Sequence, residues 1–180
     1  MAEEKIIMAG FGGQGVMSMG QLLTYAGMIE EKNVSWLPSY GPEMRGGTAN
    51  CAVIVSDKQV GSPIITKDAT AAIVMNLPSL TKFEEDVQED GNLLINSSLI
   101  EKKASREDVN VFYIKANDIA NELGNAKVAN MVMLGAYLEI TKIVKVESVI
   151  EALKKVFGPA KEHLVPLNKD ALEKGAEAVR

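Results

Sequence analysis

The sequence predicts an α/β fold, with a mostly parallel but mixed sheet in its first two thirds and a helical C-terminal part. Three observations predict it. Residues 5–16 pass from an apolar run through glycines into helical periodicity. Residues 34–114 alternate β-prone runs with helical ones, and from Asp118 the period is almost wholly helical. The 180 residues read as one domain, 1–180, long enough to bury a core without disulfides or metals, and no repeat, low-complexity tract or linker divides them.

In chain order, Lys5-Ile6-Ile7-Met8-Ala9 is a strand that empties into Gly10-Phe11-Gly12-Gly13-Gln14-Gly15, and a helix begins near Gln14. Val16, Met19, Leu22, Leu23 and Ala26 form its buried stripe, which fades at Glu30-Glu31-Lys32. Residues 34–37 predict a second strand, stopped by Pro38 and parallel to the first, so that ligands gather beyond the carboxyl ends of both. Residues 48–56 predict a third strand, and 59–62 a return antiparallel to it before Pro63. Strands over 71–75, 92–96 and 109–114 follow, with a helix over 78–89 between the first two. Helices are predicted over 118–123, 126–143, 146–157 and 169–178. The segment 126–143 is apolar around more than one face, so either the core or another chain must enclose it.

Composition removes several function classes. With 19 Lys and Arg against 24 Asp and Glu, the net charge of −5 offers no basic field to nucleic acid or to an anionic membrane. The longest nearly unbroken apolar run, 131–138, falls far short of the roughly 20 residues that span a bilayer. Cys51 is the only cysteine, which excludes an internal disulfide and a Cys-x-x-Cys metal site, and Glu3, Glu4 and Lys5 stand where a leader would carry its apolar region. A reducing cytoplasm is the expected compartment. His163 stands alone and receives no role, and the acids Glu84, Glu85, Asp86, Glu89 and Asp90 read as a solvated face.

Two stretches carry candidate chemistry. Gly10-x-Gly12-x-x-Gly15, between strand and helix, would let a ligand approach the backbone and would aim helix N–H groups and the positive helix end at a phosphate. No acid ends the second strand to hold a ribose, so NAD is disfavoured; no Walker lysine follows, and the plainer reading is a tight turn without ligand. Tyr40-Gly41-Pro42-Glu43-Met44-Arg45-Gly46-Gly47 reads as a shaped loop whose Arg45 could bind a carboxylate or phosphate, or simply pair with Glu43 while Tyr40 covers the sheet edge. Cys51 reads as core.

These two stretches, together with residues 56–63 and Asn130-Met131-Val132-Met133-Leu134-Gly135-Ala136, resemble the gamma subunit, or gamma domain, of the 2-oxoacid:ferredoxin oxidoreductases. The likeness runs through most of the chain, and the second stretch is far more specific than the glycines. What the resemblance implies is a three-layer α/β/α sandwich within a complex that oxidatively decarboxylates a 2-oxoacid, makes an acyl-coenzyme A and passes electrons to ferredoxin. It implies other subunits of that complex as partners, with thiamine diphosphate, magnesium and iron–sulfur clusters on those subunits and no catalytic or metal-binding residue here. Coenzyme A is the candidate ligand at this chain, and the matching positions are Gly12, Gly13, Gln14, Gly15, Tyr40, Glu43, Arg45 and Gly46, which would touch the ligand or a neighbouring subunit. Among substrates 2-oxoglutarate comes first, with branched-chain 2-oxoacids and indolepyruvate as close rivals. A stand-alone nucleotide-binding or regulatory module and a purely bracing subunit are the alternatives, and the isolated chain is open to self-association.

Overall fold

The computed structural model describes residues 1–40 and 48–180. Among these, the strands are β1 (Glu3–Phe11), β2 (Asn33–Tyr40), β3 (Thr48–Ser56), β4 (Ala69–Val74), β5 (Val87–Asn96) and β6 (Asn110–Ile114). They form one sheet ordered β2-β3-β1-β4-β5-β6. The helices are α1 (Val16–Ile29), α2 (Leu77–Phe83), α3 (Ala116–Glu122), α4 (Ala129–Thr141), α5 (Val146–Phe157) and α6 (Val165–Glu177). Strands β1, β4, β5 and β6 run parallel, whereas β3 is antiparallel to both β1 and β2, so the sheet is mixed as the sequence predicts.

Successive side chains on a strand point to opposite faces, and here both faces are covered. Ile6 and Met8 of β1, Val53 and Val55 of β3, Ile73 of β4 and Leu94 of β5 enter a core shared with α1, α3, α4, α5 and α6. Ile7 and Ala9 of β1, Ala72 and Val74 of β4, and Leu93 and Ile95 of β5 face the other way, onto Leu80 and Phe83 of α2 and Ile100 of the connection to β6. The result is a three-layer α/β/α arrangement with one thick helical side. Helix α4 is buried from Ala129 to Leu138, which answers the question its sequence left open: the chain's own core encloses it. Each Leu, Met or Val buried there contributes roughly 1.5–3 kcal/mol. Gly135 and Gly175 let α4 and α6 cross with their backbones touching, because a Cβ at Gly135 would fall on the Leu172 carbonyl and one at Gly175 on the Val132 carbonyl.

Several expectations need correction. Strand β2 does not stop at Pro38 but continues to Tyr40, pairing Pro38 with Cys51; β2 is an edge strand, where a residue without N–H costs no ladder bond on its open side. Strand β3 lies between β1 and β2, so those two share a direction without being neighbours. Residues 59–62 form no strand. The helix expected over 78–89 ends at Phe83, passes through a 3-10 turn at Glu84–Asp86, and gives way to β5 at Val87. Glu84 is not on a solvated face: it is buried, its carboxylate accepting from Ser105 N at 2.9 Å and its carbonyl from Arg106 Nη1 at 2.9 Å. Helix α4 is preceded by a 3-10 turn at Ala126–Val128 and ends where Lys142 takes φ 53°. Helix α6 starts at Val165 because Pro166 fits a first helical turn.

The connections set the site. After β1 the chain crosses to the thick side as α1, and after the adjacent parallel β4 it crosses to the other side as α2. Neighbouring parallel strands whose connections diverge leave a crevice beyond their carboxyl ends.

Candidate functional site

The loop from β1 to α1 fills one edge of that crevice, and its residues have separate tasks. Gly13 has φ 90° and Gly15 φ 76°, conformations that an L side chain resists. Gln14 splints the ends of two strands: its backbone N donates to Phe11 O at 3.2 Å, its Oε1 accepts from Phe11 N at 2.6 Å, and its Nε2 donates to Met75 O beyond β4 at 3.3 Å. Gly15 is held against α4, where Asn130 Nδ2 donates to Gly15 O at 3.1 Å and Asn130 Oδ1 accepts from Met131 N at 2.9 Å. A Cβ on Gly15 would fall on the Asn130 amide, whereas one on Gly13 would meet nothing within 4 Å. Gly12 is exposed. Of the four loop residues predicted from sequence, Gly12 and Gly13 thus have free surface, while the Gln14 amide and the Gly15 carbonyl are committed to the protein.

A cavity of about 170 Å³ opens beside Gly13, lined by Gln14, Met75, Asn117, Ala126, Lys127 and Ala129. It is smaller than a usual cofactor pocket, so it suits one group of a larger ligand. Helix α1 has no side-chain N-cap and no acid in its first turn, leaving its positive end uncompensated, and Lys127 adds a cation at the lip. Asn117 accepts from Asn96 Nδ2 at 2.8 Å, and Ser98 Oγ holds the start of α3 by accepting from Asn117 N and Asp118 N, each at 3.1 Å. Asn96 Oδ1 and Asn76 Nδ2 are buried with no partner among the described residues. They are amide groups at the carboxyl ends of β5 and β4, so the rim of the crevice is rich in neutral donors and acceptors.

The second predicted stretch begins and ends at the same rim. Tyr40 pairs with Ala49, and Ala49 in turn with Gly10, which puts the Tyr40 backbone two strand spacings, roughly 10 Å, from β1. Thr48 pairs with Phe11. Glu43, Arg45 and Gly46 lie outside the described residues, as does the side chain of Tyr40. Phe11 at the end of β1, and Leu77 and Leu99 just past β4 and β5, are exposed, an apolar fringe around the crevice. Sequence reasoning passed over Asn117 and Lys127. The signal available for Lys127 was the break Gly124-Asn125-Ala126-Lys127 ahead of an apolar helical segment, and no local pattern marks Asn117.

Cys51 is core, as expected. It is fully buried under α1, its Sγ 3.7 Å from Val16 O, and burial pushes its thiol up to about 12. An iron–sulfur cluster needs several thiolates, and one buried cysteine does not fit it. Among the described residues no three His, Cys, Asp or Glu side chains converge as metal ligands. No helix of the described residues is long and apolar enough to cross a membrane.

The sequence matches the family described as pyruvate ferredoxin/flavodoxin oxidoreductase over residues 5–178. It is 41% identical over 180 residues to ketoisovalerate oxidoreductase subunit VorA of Methanothermobacter thermautotrophicus, covering 99% of this chain but only 37% of that protein. It is 33% identical over 153 residues to 2-oxoglutarate synthase subunit KorC of Methanocaldococcus jannaschii, covering 83% of this chain and 81% of that one. Among solved structures, the gamma subunit of a keto/oxoacid ferredoxin oxidoreductase from Geobacter sulfurreducens superposes with a TM-score of 0.82 at 29% identity, covering 98% of each chain.

Proposed function

Because the chain belongs to the pyruvate ferredoxin/flavodoxin oxidoreductase family, we propose that it is the gamma component of a complex that converts a 2-oxoacid and coenzyme A to an acyl-coenzyme A, carbon dioxide and reduced ferredoxin. The match over residues 5–178 carries this reading. The chain supplies binding surface, not reacting groups: its one thiol is buried and its glycine loop presents backbone. Thiamine diphosphate on partner subunits provides carbanion stabilisation and iron–sulfur clusters there the one-electron steps. The exposed fringe of Phe11, Leu77 and Leu99 supports docking of such a partner over the carboxyl rim. Coenzyme A then enters between the two chains. Its phosphates suit the uncapped start of α1 beside Gly12 and Gly13, and Arg45 is a further candidate contact. Closing the rim would also exclude water from the acyl transfer.

Two substrates have specific support. The ketoisovalerate relative, at 41% identity, favours a branched-chain 2-oxoacid; the 2-oxoglutarate relative, with 81% of its own length covered, favours 2-oxoglutarate. Native purification followed by assay against a panel of 2-oxoacids, with coenzyme A and a ferredoxin substitute, decides between them. The proposal expects co-purifying larger subunits that carry thiamine diphosphate and iron–sulfur colour. A stable monomer that binds free nucleotide, with no such partners, would replace it with a stand-alone nucleotide-binding module.

A further inference from the structure

The two faces of the sheet are unequally covered. On the side of α2 the buried cluster takes residues from β1, β4 and β5 but none from β2 or β3, so no helix of the described residues packs over those two strands there. The consequence shows on β3, an interior strand: Cys51 and Val53 are fully buried on the α1 side, while Ala52 between them, facing the other way, is only half-buried. A cavity of about 170 Å³ lies on this bare patch. Its apolar lining comes from Ile7, Leu37, Ile64 and Phe83, with Leu37 and Ile64 exposed, and its polar lining from Ser39, Asn50 and Asp86. Asp86 ends the 3-10 turn Glu84–Asp86. Unlike Glu84, whose carboxylate accepts from Ser105 N, it forms no ion pair among the described residues. Lys67 and Lys82 act on it from beyond ion-pair distance, and burial raises its carboxyl against their pull. A cavity of this size is too small for a cofactor and suits one side chain. Apolar walls, an unpaired carboxylate and two neutral acceptors match a guanidinium better than an ammonium, because the planar, weakly hydrated head lies against apolar and aromatic surface while its fork of donors reaches several acceptors. The patch also runs into the carboxyl rim, since Ser39 pairs with Asn50 and Asn50 with Ala9, next to Gly10.

We propose that this cavity receives an arginine side chain from a larger partner subunit, with Asp86 as its counter-ion, and that the bare side of β2 and β3 is a surface on which that subunit seats. This rests on the reading of the chain as a gamma component and adds to it a place and a chemistry of attachment. The arginine supplies the charge that Asp86 lacks, and the partner covers Leu37 and Ile64, which the fold leaves exposed.

The test measures assembly of the full chain with the larger subunits, comparing wild type with Asp86→Asn, Asp86→Glu and the cavity-filling Ser39→Trp, an exposed position on an edge strand. Thermal unfolding of each chain alone accompanies it. Losing one charge-assisted contact should weaken assembly on the order of tenfold to a hundredfold in Asp86→Asn, with part of the affinity restored in Asp86→Glu. Ser39→Trp should weaken it with the charge intact. A photo-crosslinking benzoylphenylalanine in place of Ile64 should capture a partner peptide that contains an arginine. If wild type assembles and Asp86→Asn assembles equally well, this inference fails and the gamma reading stands. If Asp86→Asn instead lowers the unfolding midpoint of the chain alone, the counter-ion belongs to this chain and the inference fails; a crosslink to a second copy of the chain overturns it in favour of self-association. Should wild type assemble with no larger subunit, both readings fall together.

Discussion

Replacing Gly15 by alanine tests how the glycine loop is held against α4. At φ 76° an alanine costs about 1–2 kcal/mol from its own backbone. Its Cβ would also fall on the Asn130 amide, whose Nδ2 donates to Gly15 O at 3.1 Å. Displacing that side chain gives up a hydrogen bond and leaves a buried amide unpaired, about 1–3 kcal/mol more. Gly13→Ala is the control. With φ 90° but no neighbour within 4 Å, it bears only the backbone term. Gly15→Ala should therefore lose about 2 kcal/mol more than Gly13→Ala, which in a chain of this size lowers the unfolding midpoint by roughly a further 4–8 °C. In an Asn130→Ala background most of the difference should disappear, since the amide it clashes with is gone and only the Cβ, 3.2 Å away, remains. Thermal unfolding of the four variants measures it. Equal losses from Gly13→Ala and Gly15→Ala in the wild-type background would refute the role given to Asn130.

Two further predictions concern one buried and one half-buried titrating group. With its thiol pushed up to about 12, Cys51 should resist alkylation at pH 8 in the folded chain and react fully once denatured, and stoichiometric labelling of folded protein would place it at the surface. Burial raises the carboxyl of Glu4 against the opposing pull of hydrogen bonds from Thr70 and Tyr137, so its charged form is disfavoured by folding. A raised acid contributes stability below its unfolded value and loses it as pH climbs through the folded one. Glu4→Gln should accordingly be more stable than wild type at neutral pH, with the gain shrinking as pH falls through the raised folded value and gone below about pH 4 in denaturation curves; a gain that grows on acidification would reverse the sign.

What could be read from the sequence was what local pattern decides. Helix α5 runs from Val146 to Phe157 as its period predicts, and β3 from Thr48 to Ser56. Errors arose where distant residues act. Pro38 ends a strand by local rule, but on a sheet edge β2 passes through it. Gln88 and Glu89 look helical, yet they lie in β5, where Asp90 N next in the chain bonds Asp108 O at 2.8 Å. Glu84 is acceptable as a buried carboxylate only because Ser105 and Arg106 come back to meet it. The same holds at the site. The glycine loop is a local motif and was visible, but Asn117, Lys127 and Asn130 arrive from over a hundred residues away, through the turns that start α3 and α4.

Hydrogen–deuterium exchange of the assembled complex, with and without coenzyme A, tests most directly whether the carboxyl rim of this chain is a ligand site. The account predicts slowed exchange over residues 12–18 and 125–131, which face each other across the crevice. Protection confined to partner chains, or to the opposite rim around Glu4 and Ser56, would contradict it.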